Sequence, residues 1–223
     1  MTYHDCNLNN ARRYLIDSTY GVLRQKQLLV ETKYDADYIK QRYEQYPTTH
    51  SMSQLRLGFI KEFIPNTDPY MLLDFGCGTG DFVACVNEDK SFQAYGYDIT
   101  SYHTHCPQLK WNEIKKGQFG IVTFFDSLEH LPDPFNTIKY LNCKYLVISV
   151  PECHFPFSES WFDSWKHRRP GEHLWHFNRE SLDCALSKLN YKRIVHSNFE
   201  DKIRTPYSPY LPNILSGIYE LQH

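Results

Sequence analysis

The apolar run at Leu72 and Leu73 leads into Asp74 and Phe75 and then directly into glycines at 76, 78 and 80, in the stretch LLDFGCGTGDF. A short run of this kind suits a strand buried on both faces of a parallel sheet. The glycines free the turn behind it to take positive φ and to admit a ligand against bare backbone. The pattern then repeats along the chain. GDFVACVNEDK reads as a helix, FQAYGYDI as a second strand, and FGIVTFFDS as a later one. A helix is expected over 132–140 with proline in its first turn, and KYLVISVP reads as a strand stopped by Pro151. A weak strand is expected over Leu109 to Ile114. Asn178 caps a predicted helix in NRESLDCALSKLN, and YKRIVHSNF and ILSGIYELQ read as late strands. Strands alternating with helices predict a Rossmann-like, doubly wound α/β domain with a mostly parallel sheet.

The 223 residues suffice for one well-buried domain of that size with a small appendage. Residues 1–33 are polar and mixed, with a hairpin or helix around Gly21 to Val30. Tyr34, Tyr38, Arg42 and Tyr46 fall at i, i+4 spacing, which predicts a helix. A second helix, SMSQLRLGFIKEFI, follows with Ser51 or Ser53 as its N-cap. The expected division is therefore a helical cap over 1–66 and a ligand-binding domain over 67–223. Within the latter, 152–177 shows no period and is rich in Trp, Phe, Pro and His. An insert that long inside a compact domain points to function.

A formal charge of −2 gives no general attraction to nucleic acid or to an anionic membrane. The seven cysteines are scattered and never spaced C-x-x-C, which fits free thiols in a reducing compartment. The N-terminal stretch lacks the apolar core of a signal peptide, and no apolar run approaches the ~20 residues of a membrane helix. A cytoplasmic location without membrane insertion is expected.

In a doubly wound sheet, ligands bind at the carboxyl ends of the strands where strand order reverses. The glycine turn sits at such an end, and Asp98 ends the next predicted strand, where a carboxylate can accept both hydroxyls of a ribose. No Lys-Ser or Lys-Thr follows the glycines, so a P-loop is excluded. The spacing G-x-G-x-G departs from the dinucleotide pattern, and Asp81 opens the following helix, where it repels a phosphate and tolerates a cation. A turn that only packs helix on strand is the alternative.

DFGCGTG (Asp74 to Gly80) followed by YGYD ending at Asp98 resembles motif I and its acidic partner in class I S-adenosylmethionine (SAM)-dependent methyltransferases. FFDSLEHLPDP, YLVISVP and GEHLWHFNRESLDCALSKLNY resemble the later segments of the type 23 and ubiquinone-biosynthesis-like branch. The first 70 residues match only loosely, as a Tyr-rich helical cap. The resemblance implies that SAM is the cofactor and S-adenosylhomocysteine the product. It assigns Asp74 and the backbone of Gly76, Cys77, Gly78 and Gly80 to the methionine end. It gives Asp98 the ribose, sets Ile99 beside the adenine, and places Asp126 and Ser127 against the methionine moiety and the methyl. Asn112 or Glu113 lies nearest the position that contacts the adenine amino group. The N-terminal helices, with Arg42 and Tyr43, would close as a lid.

Methyl transfer from a sulfonium is an in-line displacement in which the protein aligns donor and acceptor and excludes water. A base is needed only where the acceptor must lose a proton. His130 and His173 are the candidate catalytic residues; the alternative is that each ties loops together. Trp161, Trp165, Trp175 and His176 are expected to wall an acceptor site for a small molecule. Arg168 and Arg169, in the one dense basic cluster KHRR, suit an anionic, sugar- or nucleotide-linked acceptor, unless the cluster is simply solvated. The His103 to Cys106 and Cys153-His154 pairs have no matching second pair, so no metal centre is expected. An NAD(P)-dependent oxidoreductase and a non-catalytic SAM-binding scaffold are the competing functional classes.

Overall fold

The computed structural model describes residues 14–26, 50–65, 71–100, 106–141, 143–154, 159–204 and 210–222, together with Asp37 and Lys40. The Tyr34 to Tyr46 segment expected as a lid otherwise lies outside the described residues, as does His103.

Six strands form the central sheet: β3 (Met71–Phe75), β4 (Gln93–Tyr97), β5 (Ile121–Phe125), β6 (Tyr145–Pro151), β8 (Tyr191–Ser197) and β9 (Ile214–Leu221). Their order is β4-β3-β5-β6-β9-β8. The first four run parallel, and β9 joins β6 antiparallel and pairs with β8. The chain leaves β3 for β4 on one side and returns to β5 on the other, so strand order reverses at β3.

Alternation along the strands divides the core into two layers. Leu72, Ile121, Val147 and Ile218 face one side, where they pack with Leu57 and Ile60 of α1 (His50–Phe63) and Phe82, Val83 and Val86 of α2 (Asp81–Asp89). Leu73, Val122, Leu146 and Ile148 face the other, against Ile114 of α3 (Trp111–Ile114), Phe135 and Ile138 of α4 (Pro134–Leu141), and Leu182 and Leu186 of α6 (Arg179–Ser187). This is the helix-on-both-faces arrangement that parallel strands require.

Two expectations need correction. Residues 111–114 form a helical turn, because the Glu113 carboxylate accepts the Lys110 amide at 2.7 Å and closes a capping box. Just before it, Gln108 bridges to the sheet beside Gly96, which bonds the backbone of Pro107 and Leu109. Helix α1 already includes His50, so Ser51 and Ser53 lie inside it and neither is its N-cap.

A small antiparallel sheet stands apart from the main one. β1 (Tyr14–Ile16) and β2 (Leu23–Gln25) form a hairpin, and β2 pairs with β7 (Trp175–His176). The hairpin expected around Gly21 thus begins earlier, at Tyr14. It grips the 152–177 insert, whose other regular element among the described residues is α5 (Glu159–Ser164).

Candidate cofactor and acceptor site

Gly76, Gly78 and Gly80 take φ of 85°, 55° and 85°. Two of them are glycine for reasons of space as well as angle. A Cβ on Gly76 would stand 2.5 Å from the Ser127 Cβ, and one on Gly80 would stand 2.5 Å from the Cys106 Sγ. The turn is fastened to β4: the amides of Gly76 and Cys77 donate to the Tyr97 carbonyl at 2.7 and 3.0 Å, and the Gly78 amide donates to Asp98 Oδ2 at 2.9 Å. The other Asp98 oxygen accepts the amide and hydroxyl of Thr100. Ile99, next in the chain, is 79 % exposed, an apolar surface at the mouth of the crevice.

Beneath the turn, Asp74 is buried and accepts the Thr123 hydroxyl at 2.6 Å. Burial pushes its carboxyl up to about 6, against the Thr123 hydrogen bond and the nearby Arg56, which both favour the anion. Ser127 sits across from it, its hydroxyl donating to the Phe75 carbonyl at 2.6 Å. The carboxyl ends of β3, β4 and β5 therefore bring Asp74, the glycine turn, Asp98, Asp126 and Ser127 around one crevice at the reversal of strand order. A bared backbone, a buried carboxyl and an exposed apolar side chain fit a nucleoside with a cationic amino-acid tail. Asp81 at the start of α2 is where a dinucleotide fold would receive a pyrophosphate.

Asp126 has partners that no sequence motif announced. Its backbone takes φ 53°, and its carboxylate accepts Arg56 Nη2 at 3.0 Å and Arg204 Nη1 at 2.8 Å. Burial alone would raise its pKa, but Arg204 and Arg56 hold it well below the usual carboxylate range. Both arginines also bind Glu200, which is fully buried on the one-turn helix Phe199–Lys202, and Arg56 lies over the Phe125 ring. Helix α1 and the segment after β8 are thereby fixed to the end of β5. Apart from Arg204 and Glu200, four residues apart, the pairs are separated by 70 to 144 residues in sequence, so no local spacing could reveal them.

The insert brings His173 beside His130, with ring centroids 4.6 Å apart and edge to face. His167 lies parallel to His173 at 6.2 Å, Trp165 adjoins His167, and Trp161 stacks on Trp165 at 5.3 Å. His176, Phe162 and Tyr14 close this aromatic cluster. Burial pushes the His173 imidazolium well below its ordinary pKa, and His176 down to about 3. Trp175 does not share the wall with Trp161 and Trp165. It alternates with His176 on β7, so its ring turns into the main core against Phe135, while its indole donates to the Leu131 carbonyl at 2.9 Å. Arg168 pairs with Asp163 at 2.9 Å and lies over Tyr14 and Phe162. Arg169 pairs with Glu172 at 3.0 Å. Both guanidiniums are thus engaged with carboxylates of the insert. Glu113, an expected adenine neighbour, caps its own helical turn.

The methyltransferase-domain family profile of type 23 matches residues 41–197, and the chain belongs to that family. It is similar to the ubiquinone biosynthesis O-methyltransferase of Albidiferax ferrireducens, with 29 % identity over 108 residues, covering 40 % of this chain and 42 % of that protein. The same-named protein of Acinetobacter baylyi is 27 % identical over 135 residues, covering 52 % and 55 %. The chain spans about half the length of the curated relatives it matches. In fold it is similar to a SAM-dependent methyltransferase of Archaeoglobus fulgidus, at TM-score 0.60 and 17 % identity, covering 82 % of this chain and 100 % of that one. The architecture is accordingly that of the class I methyltransferases. No helix among the described residues is long and apolar enough to cross a membrane.

Proposed function

We propose that the protein binds SAM in the crevice of β3, β4 and β5 and transfers its methyl group to a small or medium-sized acceptor, releasing S-adenosylhomocysteine. The observation that carries this reading is the glycine turn pinned to Asp98 above a buried Asp74. Asp98 stands where it can take the ribose hydroxyls, with Ile99 as the adenine flank. Asp74 and the glycine backbone of 76–80, bare of side chains, suit the amino-acid tail, and Asp126 and Ser127 border the methyl.

The chain's part in the reaction is alignment and exclusion of water. A sulfonium is a good leaving group, so holding acceptor and methyl in line supplies much of the acceleration. Residues 152–177 supply the acceptor side, with Trp161, Trp165, His173 and His176 beside His130. The division into a cap over 1–66 and a binding domain over 67–223 is part of the reading; Arg56 on α1 supports it by linking the cap to the end of β5. The ion pairs of Arg168 and Arg169 give no support to an anionic acceptor over a neutral one.

Calorimetry with SAM, S-adenosylhomocysteine and NAD(H) tests the cofactor. Binding of the first two and none of the third is expected. Failure of folded protein to bind either adenosyl compound overturns the reading, and NAD(H) binding replaces it with an oxidoreductase. SAM binding without turnover of any acceptor leaves the scaffold.

A further inference from the structure

Among the described residues, Glu129, His130 and His173 bring a carboxylate oxygen and two imidazole nitrogens within 4.8 Å of one another. Glu129 and His130 lie on the one-turn helix Leu128–His130 that follows β5, and His173 comes from the insert. A backbone hydrogen bond of 2.8 Å from the Leu174 amide to the Glu129 carbonyl holds the two segments in register. Glu129 is 1 % exposed, yet neither of its carboxylate oxygens has a hydrogen-bond partner. Leaving a buried carboxyl unsatisfied is costly, and a native fold keeps such a group where something else compensates it. The neighbouring carboxylate, Asp126, is already held by Arg56 and Arg204 and does not compete for the same role.

We propose that Glu129, His130 and His173 form a binding site for a divalent cation of the zinc class. One carboxylate and two imidazoles are the ligand set of three-residue zinc sites that keep a fourth position open. Imidazole nitrogen favours zinc, cobalt and nickel over magnesium and calcium. Ligand atoms about 2.1 Å from a shared zinc lie at most about 4.2 Å apart. Glu129 Oε1 and His130 Nε2, at 3.9 Å, are inside that limit, and the three ligand atoms together lie within 4.8 Å, so ion binding draws the widest pair in by at most about 0.6 Å. Such a site would depart from the sequence-based expectation of no metal centre, which considered only pairs close in sequence. It also gives His130 and His173 the role of ligands in place of proton acceptors.

One consequence rests on the methyltransferase reading. The insert that supplies His173 also carries Trp161, Trp165 and His176, assigned to the acceptor side, and a hydroxyl bound at the open position would lose its proton to solvent more readily. The resulting oxygen forms the new C–O bond as the S–CH3 bond breaks and its electron pair returns to sulfur. The acceptor atom is then a hydroxyl oxygen.

The test is made on chelator-treated full-length protein, titrated with Zn2+ by calorimetry and with Co2+ by visible absorption. About one equivalent binds, Co2+ gives the d–d bands of a four- or five-coordinate site, and Glu129→Gln and His173→Asn each weaken Zn2+ binding by about 100-fold. His196→Asn, in a separate cluster with Asp183 and Tyr219, leaves it unchanged. Metal-free Glu129→Gln melts no lower than the metal-free parent, since the replaced carboxylate has no hydrogen-bond partner to lose; a circular-dichroism melt also verifies that each variant is folded. If His173→Asn fails to fold, His130→Asn takes its place. Absence of the Co2+ bands, or Zn2+ affinity that Glu129→Gln and the histidine variants do not change, overturns the site. S-adenosylhomocysteine binding, measured alongside, reports separately on the cofactor reading.

Discussion

The Asp98 carboxylate accepts the Gly78 amide at 2.9 Å, and this bond ties the end of β4 to the middle of the glycine turn. It orients the turn and, in the same stroke, holds a negative group at the place assigned to the ribose. Charge-assisted hydrogen bonds contribute about 1.5–3 kcal/mol each. Asp98→Ala therefore weakens S-adenosylhomocysteine binding by about 10- to 100-fold, with Asp98→Asn between it and the parent. Calorimetry measures both; an affinity unchanged in Asp98→Ala would place the ribose elsewhere.

Glycines of this chain separate by cause. At Gly76, alanine meets both φ 85° and a Cβ 2.5 Å from Ser127, in a place where neither β3 nor β5 can give way. Gly76→Ala costs about 2–4 kcal/mol of stability. Gly58, on α1, has nothing within 4 Å of an added Cβ. There alanine stabilises by about 0.5–1 kcal/mol, because it is the better helix former and narrows the unfolded ensemble. Urea midpoints of the two variants move in opposite directions.

The same contrast explains how much of the fold and site was legible in the sequence. The glycine turn was readable because its angles restrict residue type locally, and so was the α6 cap, where Asn178 accepts the Ser181 amide at 2.8 Å. Leu109 to Ile114 misled because one helical turn and a short strand space apolar residues alike, and the Lys110–Glu113 cap decided between them. Trp175 and His176 part company because two adjacent residues of a strand face opposite ways, and nothing in the aperiodic insert marks a strand there. What stayed hidden was tertiary: Arg56 and Arg204 reach Asp126 from 70 and 78 residues away, and His173 reaches His130 through the fold of the insert.

The cluster of Arg56, Arg204, Asp126 and Glu200, buried at Arg56 and Glu200 and half-buried at the other two, is balanced in charge, so removing one member leaves another uncompensated. Arg56→Met costs about 3–5 kcal/mol, and Glu200→Gln a comparable amount. The pair substituted together loses less than the sum, which a double-mutant cycle in urea reads as coupling. Asp126 adds a pH dependence. Its folded pKa is depressed, so its contribution is full above the unfolded value of about 3.9 and is lost as pH falls below it. Arg204→Met shrinks that acid loss; an acid limb identical to the parent's would mean that Asp126 is not held as described.

Asp74 has the opposite sign. Its carboxyl is pushed up to about 6 in the folded protein, chiefly by burial. Between pH 4 and 6 the folded chain keeps a proton that the unfolded chain has lost, so stability falls as pH rises through that window and stays lower above it. A displacement of about two units corresponds to about 3 kcal/mol. Ligand binding should reverse part of this. The ammonium of the S-adenosylhomocysteine amino-acid tail favours the ionised carboxylate, so binding tightens from pH 5 to 7 and expels a proton near the lower end. Calorimetry in buffers of different ionisation enthalpy counts that proton. Asp74→Asn removes both the proton and the slope; if the parent binds with the same affinity at pH 5 and pH 7, Asp74 does not meet the cationic end of the cofactor.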